Sequence, residues 1–305
     1  VKPVDFELHR PATTGEAVAL LAEHAPEAKV LAGGQSLLPL LNFRLARPEH
    51  LVDLGRIASL AELRRTRDAL VVGAMVRQSR AERSPAVAAD APLLAAAFPH
   101  IAHPPVRNRG TVGGSLAHGD PAAELPAVAR ALDAVFVAAG PGGRREIAAR
   151  DFFQANLMTA LDAGELLVEI RFPRAAPGTG ASFQEVARRN GDFALVGVAA
   201  QVTVRDGVIG DARVCVTGVG PTPYRAAAAE EALTGRAPTE ARLAEAADAL
   251  RAAIEPSGDL HATAGYRRDV AGTLAARAVA EAHRRATAAA PTRLDDGDVA
   301  GHPAR

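Results

Sequence analysis

Asp206-Gly207 separates two long apolar-alternating runs, residues 194–205 (ALVGVAAQVTVR) and 208–219 (VIGDARVCVTGV). Such a dipeptide between alternating runs is a strong hairpin signal, because the central positions of the tight turn need φ > 0. A third run, 182–188, precedes the pair, and helical patterns follow at about 225–234, 239–254 and 262–287. Strands first and helices afterwards specify a compact α+β unit. Residues 174–180 (RAAPGTG) are small, contain Pro and Gly, lack periodicity and read as a linker into that unit. The unit occupies about 177–287. Beyond it, 288–305 carries Pro, Gly and Asp without an apolar period, which predicts a disordered tail.

Upstream of the linker, in 1–176, short helices and strands are interspersed. Residues 13–24 predict a helix capped by Thr13 or Thr14, with Ala17, Leu20, Leu21 and His24 near one face. Short apolar runs at 29–32, 51–54, 70–73, 134–139 and 165–172 predict strands, and 77–83, 85–101 and 122–132 predict helices. The Pro-, Arg- and Gly-containing stretch from His103 to Pro121 carries no clear element.

The chain has 305 residues, 48% of them hydrophobic, which is enough for two or three folded units. Lys+Arg and Asp+Glu both total 35, so the charge balance gives no support for binding nucleic acid. The single cysteine, Cys215, excludes a disulfide framework and any iron–sulfur site built from this chain alone. It lies in an apolar strand and reads as a core residue. No run approaches the length of a membrane span, and residues 1–10 hold no apolar signal-peptide core. A cytoplasmic protein is expected.

Two glycine-centred segments stand out, residues 32–41 (AGGQSLLPLL) and 110–126 (GTVGGSLAHGDPAAELP). Each sets a Gly-Gly pair beside small hydroxyl or amide side chains, Gln35 and Ser36 in one, Thr111 and Ser115 in the other. Paired glycines permit φ > 0 and close approach of a ligand to main-chain N–H groups, and successive N–H groups form a nest suited to a pyrophosphate. By spacing alone, two tight turns explain the pattern as well as an anion cradle does. The familiar phosphate motifs are absent. The only lysines are Lys2 and Lys29, so no P-loop exists, and Gly218-Val219-Gly220 is followed by Pro221 and Pro223, which would break the helix of a dinucleotide fingerprint.

The segments 32–54 (AGGQSLLPLLNFRLARPEHLVDL) and 106–127 (VRNRGTVGGSLAHGDPAAELPA) resemble the FAD-binding, medium subunit of the xanthine dehydrogenase and carbon monoxide dehydrogenase family of molybdenum hydroxylases. So do 165–173 (ELLVEIRFP) and 183–200 (FQEVARRNGDFALVGVAA), and order and spacing match over roughly 1–285. The resemblance implies an α+β chain: a two-lobed FAD-binding domain of the vanillyl-alcohol-oxidase/PCMH type over 1–176, with lobes about 1–55 and 56–176, then a small C-terminal domain of the CO dehydrogenase flavoprotein type. FAD would be held non-covalently. Val30, Leu31, Ala32, Gly33, Gly34, Gln35, Ser36 and Leu37 would line one side of its pyrophosphate, and Thr111, Gly113, Gly114 and Ser115 the other. Many relatives have Asn where this chain has Ser115. His118 falls at a position that can contact FAD, Glu124 where an acid bonds the flavin's sugar-alcohol chain, and Ile101 and Leu167 at apolar contacts. Gln184 sits where some relatives place a lysine near the flavin, and Phe193 near the flavin face.

The implied function is electron transfer. A molybdenum-pterin large subunit would hydroxylate the substrate, a small subunit would carry two 2Fe-2S clusters, and electrons would leave this chain's FAD to NAD+, a quinone or oxygen. No residue here need act as acid, base or nucleophile in the hydroxylation. Two rivals are a self-sufficient FAD-dependent oxidase and a non-catalytic flavin- or nucleotide-binding assembly protein. The first should carry a substrate-capping domain with catalytic Tyr, His or Arg, yet the chain has just two tyrosines, Tyr224 and Tyr266. Arg107 and Arg109 read as structural ion pairs or subunit contacts before phosphate ligands, and Asp120 as a turn residue or a ligand contact.

Overall fold

The computed structural model describes residues 2–288. Its first lobe is a small parallel sheet. Strands β1 (Glu7–His9), β2 (Ala28–Leu31) and β3 (His50–Asp53) pair in the order β1-β3-β2, connected through helices α1 (Thr14–Glu23) and α2 (Leu37–Asn42). Thr13 caps α1 by accepting from the Glu16 N–H at 3.2 Å, while the Glu16 carboxylate accepts from the Ala12 N–H at 2.7 Å. Ala17, Val18 and Leu21 form the buried face of α1.

The second lobe carries a five-stranded, wholly antiparallel sheet in the order β4-β5-β10-β6-β7. Its members are β4 (Leu63–Arg65), β5 (Ala69–Gly73), β6 (Val135–Gly140), β7 (Gly143–Ala148) and β10 (Leu166–Pro173), with a small pair, β8 (Phe153–Ala155) and β9 (Met158–Thr159), beside it. Central β10 is apolar except for Glu169 and Arg171, and Glu169 is paired with Arg171 at 2.7 Å and with Arg64 of β4 at 2.9 Å. Helices α3 (Gln78–Glu82), α4 (Pro85–Asp90), α5 (Pro92–Ala97), α6 (Pro104–Arg109), α7 (Val112–His118), α8 (Glu124–Ala131) and α9 (Ala149–Phe152) surround this sheet.

The C-terminal sheet is a meander, β11 (Thr179–Ala187), β12 (Ala194–Arg205), β13 (Val208–Thr217) and β14 (Tyr224–Arg225), followed by α10 (Ala227–Leu233), α11 (Glu240–Ala253) and α12 (Ala264–Ala288). Asp206 and Gly207 have φ of 50° and 78° and join Arg205 directly to Val208, as the hairpin signal requires. Along β12 the side chains alternate. Val196, Val198, Ala200 and Val202 face the three C-terminal helices, whereas Ala199, with Phe183 and Cys215, faces the core of the second lobe. Cys215 is fully buried, as expected, and burial pushes its thiol up to about 12.

Three expectations change. The stretch 103–121 is helical: Pro104 and Pro105 occupy the first turn of α6, where a missing N–H costs nothing, and Thr111 caps α7. The helix expected over 85–101 is two helices and a 3-10 turn, because Pro92 cannot continue α4 and Ala91 takes φ −138°. The linker is anchored, since Arg174 pairs with buried Asp90 at 3.0 Å and the Ala175 N–H donates to the Asp90 carbonyl at 2.7 Å. Short elements β1, α2, β4, β7, α9, β8 and β9 go beyond what the sequence pattern indicates. The expected tail, from residue 289 onward, lies outside the described residues, and Ala288 ends α12.

Candidate functional site

Strand β2 delivers the first glycine segment from the carboxyl end of the parallel sheet. Gly34 takes φ 74°, the left-handed turn that glycine allows. The Gln35 amide folds back to donate to the Gly33 carbonyl at 3.2 Å, and the Leu38 N–H donates to the Gly34 carbonyl at 3.1 Å to start α2. Among the described residues, the backbone N–H groups of Gly33, Gly34, Gln35 and Ser36 find no acceptor. Residues Val30 to Leu37 are all half-buried. Four successive free donors in a half-sheltered turn form a nest for an anion.

The second segment is built differently. Val112 N–H donates to the Val76 carbonyl at 2.9 Å, Gly113 N–H to Ala74 at 3.0 Å, Gly114 N–H to the Thr111 hydroxyl at 3.0 Å and Ser115 N–H to the Thr111 carbonyl at 3.1 Å. These donors are engaged by the protein, as is the buried Thr111 hydroxyl as an acceptor, which leaves its O–H and the half-buried Ser115 hydroxyl to offer. Gly113 and Gly114 are helical, not left-handed. They are glycine because of close packing: a Cβ on Gly113 would lie 2.5 Å from the Ala74 Cα, and one on Gly114 would lie 2.7 Å from the Thr111 hydroxyl and 3.3 Å from the Ala32 Cβ. At Gly33, too, the space belongs to protein, since a Cβ there would meet the Arg109 carbonyl oxygen at 2.5 Å and the Gly110 Cα at 2.8 Å. The two segments, far apart in sequence, therefore touch.

Helix α7 leads away from this junction past half-buried His118 and ends at Gly119 with φ 64°. Asp120 accepts from the Ala122 N–H at 2.8 Å, a turn role, and the Thr217 hydroxyl donates to the Ala123 carbonyl at 3.0 Å. Glu124, the first residue of α8, is 3% exposed. Burial pushes its carboxyl up to about 8, against an opposing backbone hydrogen bond, with Glu185 and Asp120 adding to the rise. Glu185 is a site residue that the sequence reading passes over. Its Oε1 lies 3.5 Å from His100 Nδ1, and its buried Oε2 has no partner among the described residues. The alternation of β11 could have found it, because Glu185 follows Ala181 and Phe183 on the face turned to the second lobe. By the same alternation Gln184 pairs with Val198 on the opposite face, away from Glu124.

Ile101 (7% exposed) and Leu167 (3%) belong to the second-lobe core. Arg107 is structural, binding Glu82 at 2.9 and 3.0 Å and donating to the Ile101 carbonyl at 2.9 Å. The turn before β12 lies over His103, whose ring atom Cε1 is 2.6 Å from where a Gly191 Cβ would sit, and Phe193 beside it is 56% exposed. The free N–H groups of the first glycine segment suit a diphosphate, and at the start of the helix after the second segment Glu124 adds a buried carboxyl near the unpartnered Glu185 oxygen.

Comparison with known proteins agrees with this geometry. The family model described as FAD binding domain in molybdopterin dehydrogenase matches residues 4–175, and that of the CO dehydrogenase flavoprotein C-terminal domain matches 181–282. The chain is 43% identical to the carbon monoxide dehydrogenase medium chain of Hydrogenophaga pseudoflava, covering 91% of this chain and 96% of that one. It is 40% identical to the 6-hydroxypseudooxynicotine dehydrogenase complex subunit alpha of Paenarthrobacter nicotinovorans, covering 94% and 97%. A solved carbon monoxide dehydrogenase from Hydrogenophaga pseudoflava superposes with a TM-score of 0.91 at 45% identity, covering 93% and 99%. The quinoline 2-oxidoreductase of Pseudomonas putida 86 superposes with a TM-score of 0.90 at 38% identity, covering 94% and 99%. With a donor nest at the junction of its glycine segments and both family domains in order, the chain belongs to the FAD-binding medium subunits of the carbon monoxide and xanthine dehydrogenase family of molybdenum hydroxylases.

Proposed function

We propose that this chain carries FAD between the iron–sulfur clusters of a partner and an external acceptor. The observation that carries the assignment is the nest of free N–H groups from Gly33 to Ser36, closed by its contact with Arg109-Gly110. In this reading Gly33 to Ser36 hold the diphosphate, with Val30, Leu31, Ala32 and Leu37 forming its wall. Thr111 and Ser115 add hydroxyl contacts from α7, whose Gly113 and Gly114 permit the approach, and His118 lies farther along the helix. Protonated Glu124 donates to the sugar-alcohol chain, and Ile101 and Leu167 provide apolar walls. FAD supplies two-electron chemistry in which electrons can be passed singly, and the protein supplies binding, orientation and electrostatics.

The partners in this reading are a molybdenum-pterin large subunit and a 2Fe-2S small subunit, with NAD+, a quinone or oxygen as acceptor. Relatives named as medium chains and complex subunits support it. So do the exposed apolar side chains just after α2, Phe43 at 72% and Leu45 at 76%. We further propose a division into lobes of about 1–55 and 56–176 and a C-terminal domain of 177–287, acting in the cytoplasm. No helix among the described residues is long and apolar enough to cross a membrane.

Denaturing the purified chain and filtering it should release FAD at about one per chain; FMN, or flavin retained on the polypeptide, would contradict the proposal. Assayed alone with aldehydes, purines and N-heterocycles, the chain should show no turnover. A rate of about 1 per second or more would instead identify a self-sufficient oxidase.

A further inference from the structure

Three histidines meet beside the first sheet, with His24 and His50 at the end opposite the glycine segment. His9 ends β1, His50 opens β3, and His24 is the residue that closes α1. The strands are parallel and His50 is in register with Ala28, the first residue of β2, whereas the nest follows Leu31, its last. His24 and His50 are thus separated from the nest by the length of the strand, about 10 Å at ~3.3 Å per residue, while His9, in register with Val52, reaches back to them from farther along the sheet.

The rings of His24 and His50 stack with centroids 3.8 Å apart, and His9 lies 5.1 and 5.3 Å from the two. His9 Nε2 and His50 Nδ1 are 3.0 Å apart, and one nitrogen from each of the three rings falls within a 4.8 Å span. Glu7 stands over the group, its carboxylate oxygens 3.9 Å from His9 Nε2 and 3.7 Å from His50 Nδ1. All three histidines are half-buried, while the Glu7 side chain is 67% exposed. An open cleft of about 390 Å³, with Glu16 and Glu23 in its wall, reaches the cluster at His9.

We propose that His9, His24 and His50, with Glu7 or water as fourth ligand, bind one borderline divalent transition-metal ion, with Zn2+ as the type case. Three imidazoles and a carboxylate suit Zn2+, Co2+ or Ni2+, whereas Mg2+ and Ca2+ demand oxygen ligands. Ligand bonds of about 2.0–2.1 Å in a tetrahedron place ligand nitrogens about 3.3–3.4 Å apart. The nitrogen contact already present is close to that spacing, and the stacked rings of His24 and His50 must rotate for their nitrogens to converge on one ion. The ion cross-links the first strand, the end of the first helix and the central strand. Its role is structural, and the site is independent of the flavin assignment.

The test uses the full chain, stripped with a chelator and titrated with Co2+ and then Zn2+. We expect one ion per chain, a tetrahedral Co2+ visible spectrum displaced by Zn2+, and a Zn2+ dissociation constant below about 10 µM. Zn2+ should also raise the melting temperature of the wild-type chain. His24→Gln, outside the strands, should weaken Zn2+ binding by more than the about 10–100-fold cost of outer-shell substitutions, abolish the Zn2+-dependent rise in melting temperature and leave flavin content unchanged. His50→Ala should do the same to the metal. Zn2+ binding weaker than that limit, or equally tight in wild type and in a folded His24→Gln chain, would show that the trio is only a packed histidine cluster.

Discussion

One carboxyl and a glycine pair decide how the site responds to its surroundings. Glu124 has a folded pKa near 8 against an ordinary 4.5, so the folded chain keeps a proton that the unfolded chain releases. Such a group destabilises the fold as pH rises through that window, by about 1.4 kcal/mol per unit, with no further loss above the folded value. In the flavin-free chain, Glu124→Gln should match wild type near pH 4.5 and surpass it near pH 8.5. Urea midpoints at the two pH values would show this, and parallel losses in both proteins would refute it. The pair is Gly33 and Gly34. Gly33→Ala forces a Cβ against the Arg109 carbonyl, a backbone clash of about 1–3 kcal/mol. Gly34→Ala has only the flexible Leu38 side chain to displace, at 3.0 Å, but must hold φ 74° at about 1–2 kcal/mol. Both should lower FAD affinity at least tenfold by fluorescence titration. Both should also melt earlier than wild type, because these glycines serve packing and turn geometry as well as ligand space.

Among the elements, the α3–α6 pair carries the clearest prediction. Arg107 is 8% exposed and holds Glu82 with two hydrogen bonds, while reaching the carbonyls of Ile101 and Ala102, the latter at φ 45°. Arg107→Met strands a carboxylate and frees the turn that presents Ile101. The expected loss is about 3–5 kcal/mol, read as a urea midpoint shift, with faster amide exchange over 101–104. The same region shows what sequence hides. The 206–207 hairpin and central β10 are legible because alternation, apolar content and turn residues agree there. Helices α6 and α7 are not, because Pro104, Pro105, Gly113 and Gly114 look like breakers until their places in first turns are known. The first glycine segment is legible as a turn that could be a nest, and its free donors appear only in the folded chain. The asymmetry of the second, whose donors are already engaged, depends on contacts with Ala74 and Val76 that no local pattern encodes. Glu185 escapes notice for the opposite reason, since an acid in a strand is unremarkable until the strand's buried face is known.

At the scale of the whole molecule, the lobes share interiors. Ala17, Val18, Leu21 and Val52 of the first lobe pack with Val137, Ala139, Leu166 and Val168 of the second, and Phe183, Ala199 and Cys215 extend the second-lobe core into the C-terminal sheet. Leu21, 1% exposed, lies outside the nest, in the inter-lobe core. Leu21→Ala should cost about 2–5 kcal/mol and raise the FAD dissociation constant at least tenfold. Calorimetry together with flavin titration would measure both, and unchanged affinity in the destabilised variant would separate the two events. The reason lies in the contact of Gly33 with Arg109-Gly110: the anion nest is finished only when one lobe leans on the other. Where the nest holds the flavin diphosphate as proposed, cofactor occupancy and lobe docking would share one equilibrium, and flavin would act as a clasp. A cell short of flavin would hold this chain ajar along that seam, and proteases would find the vacant form there first.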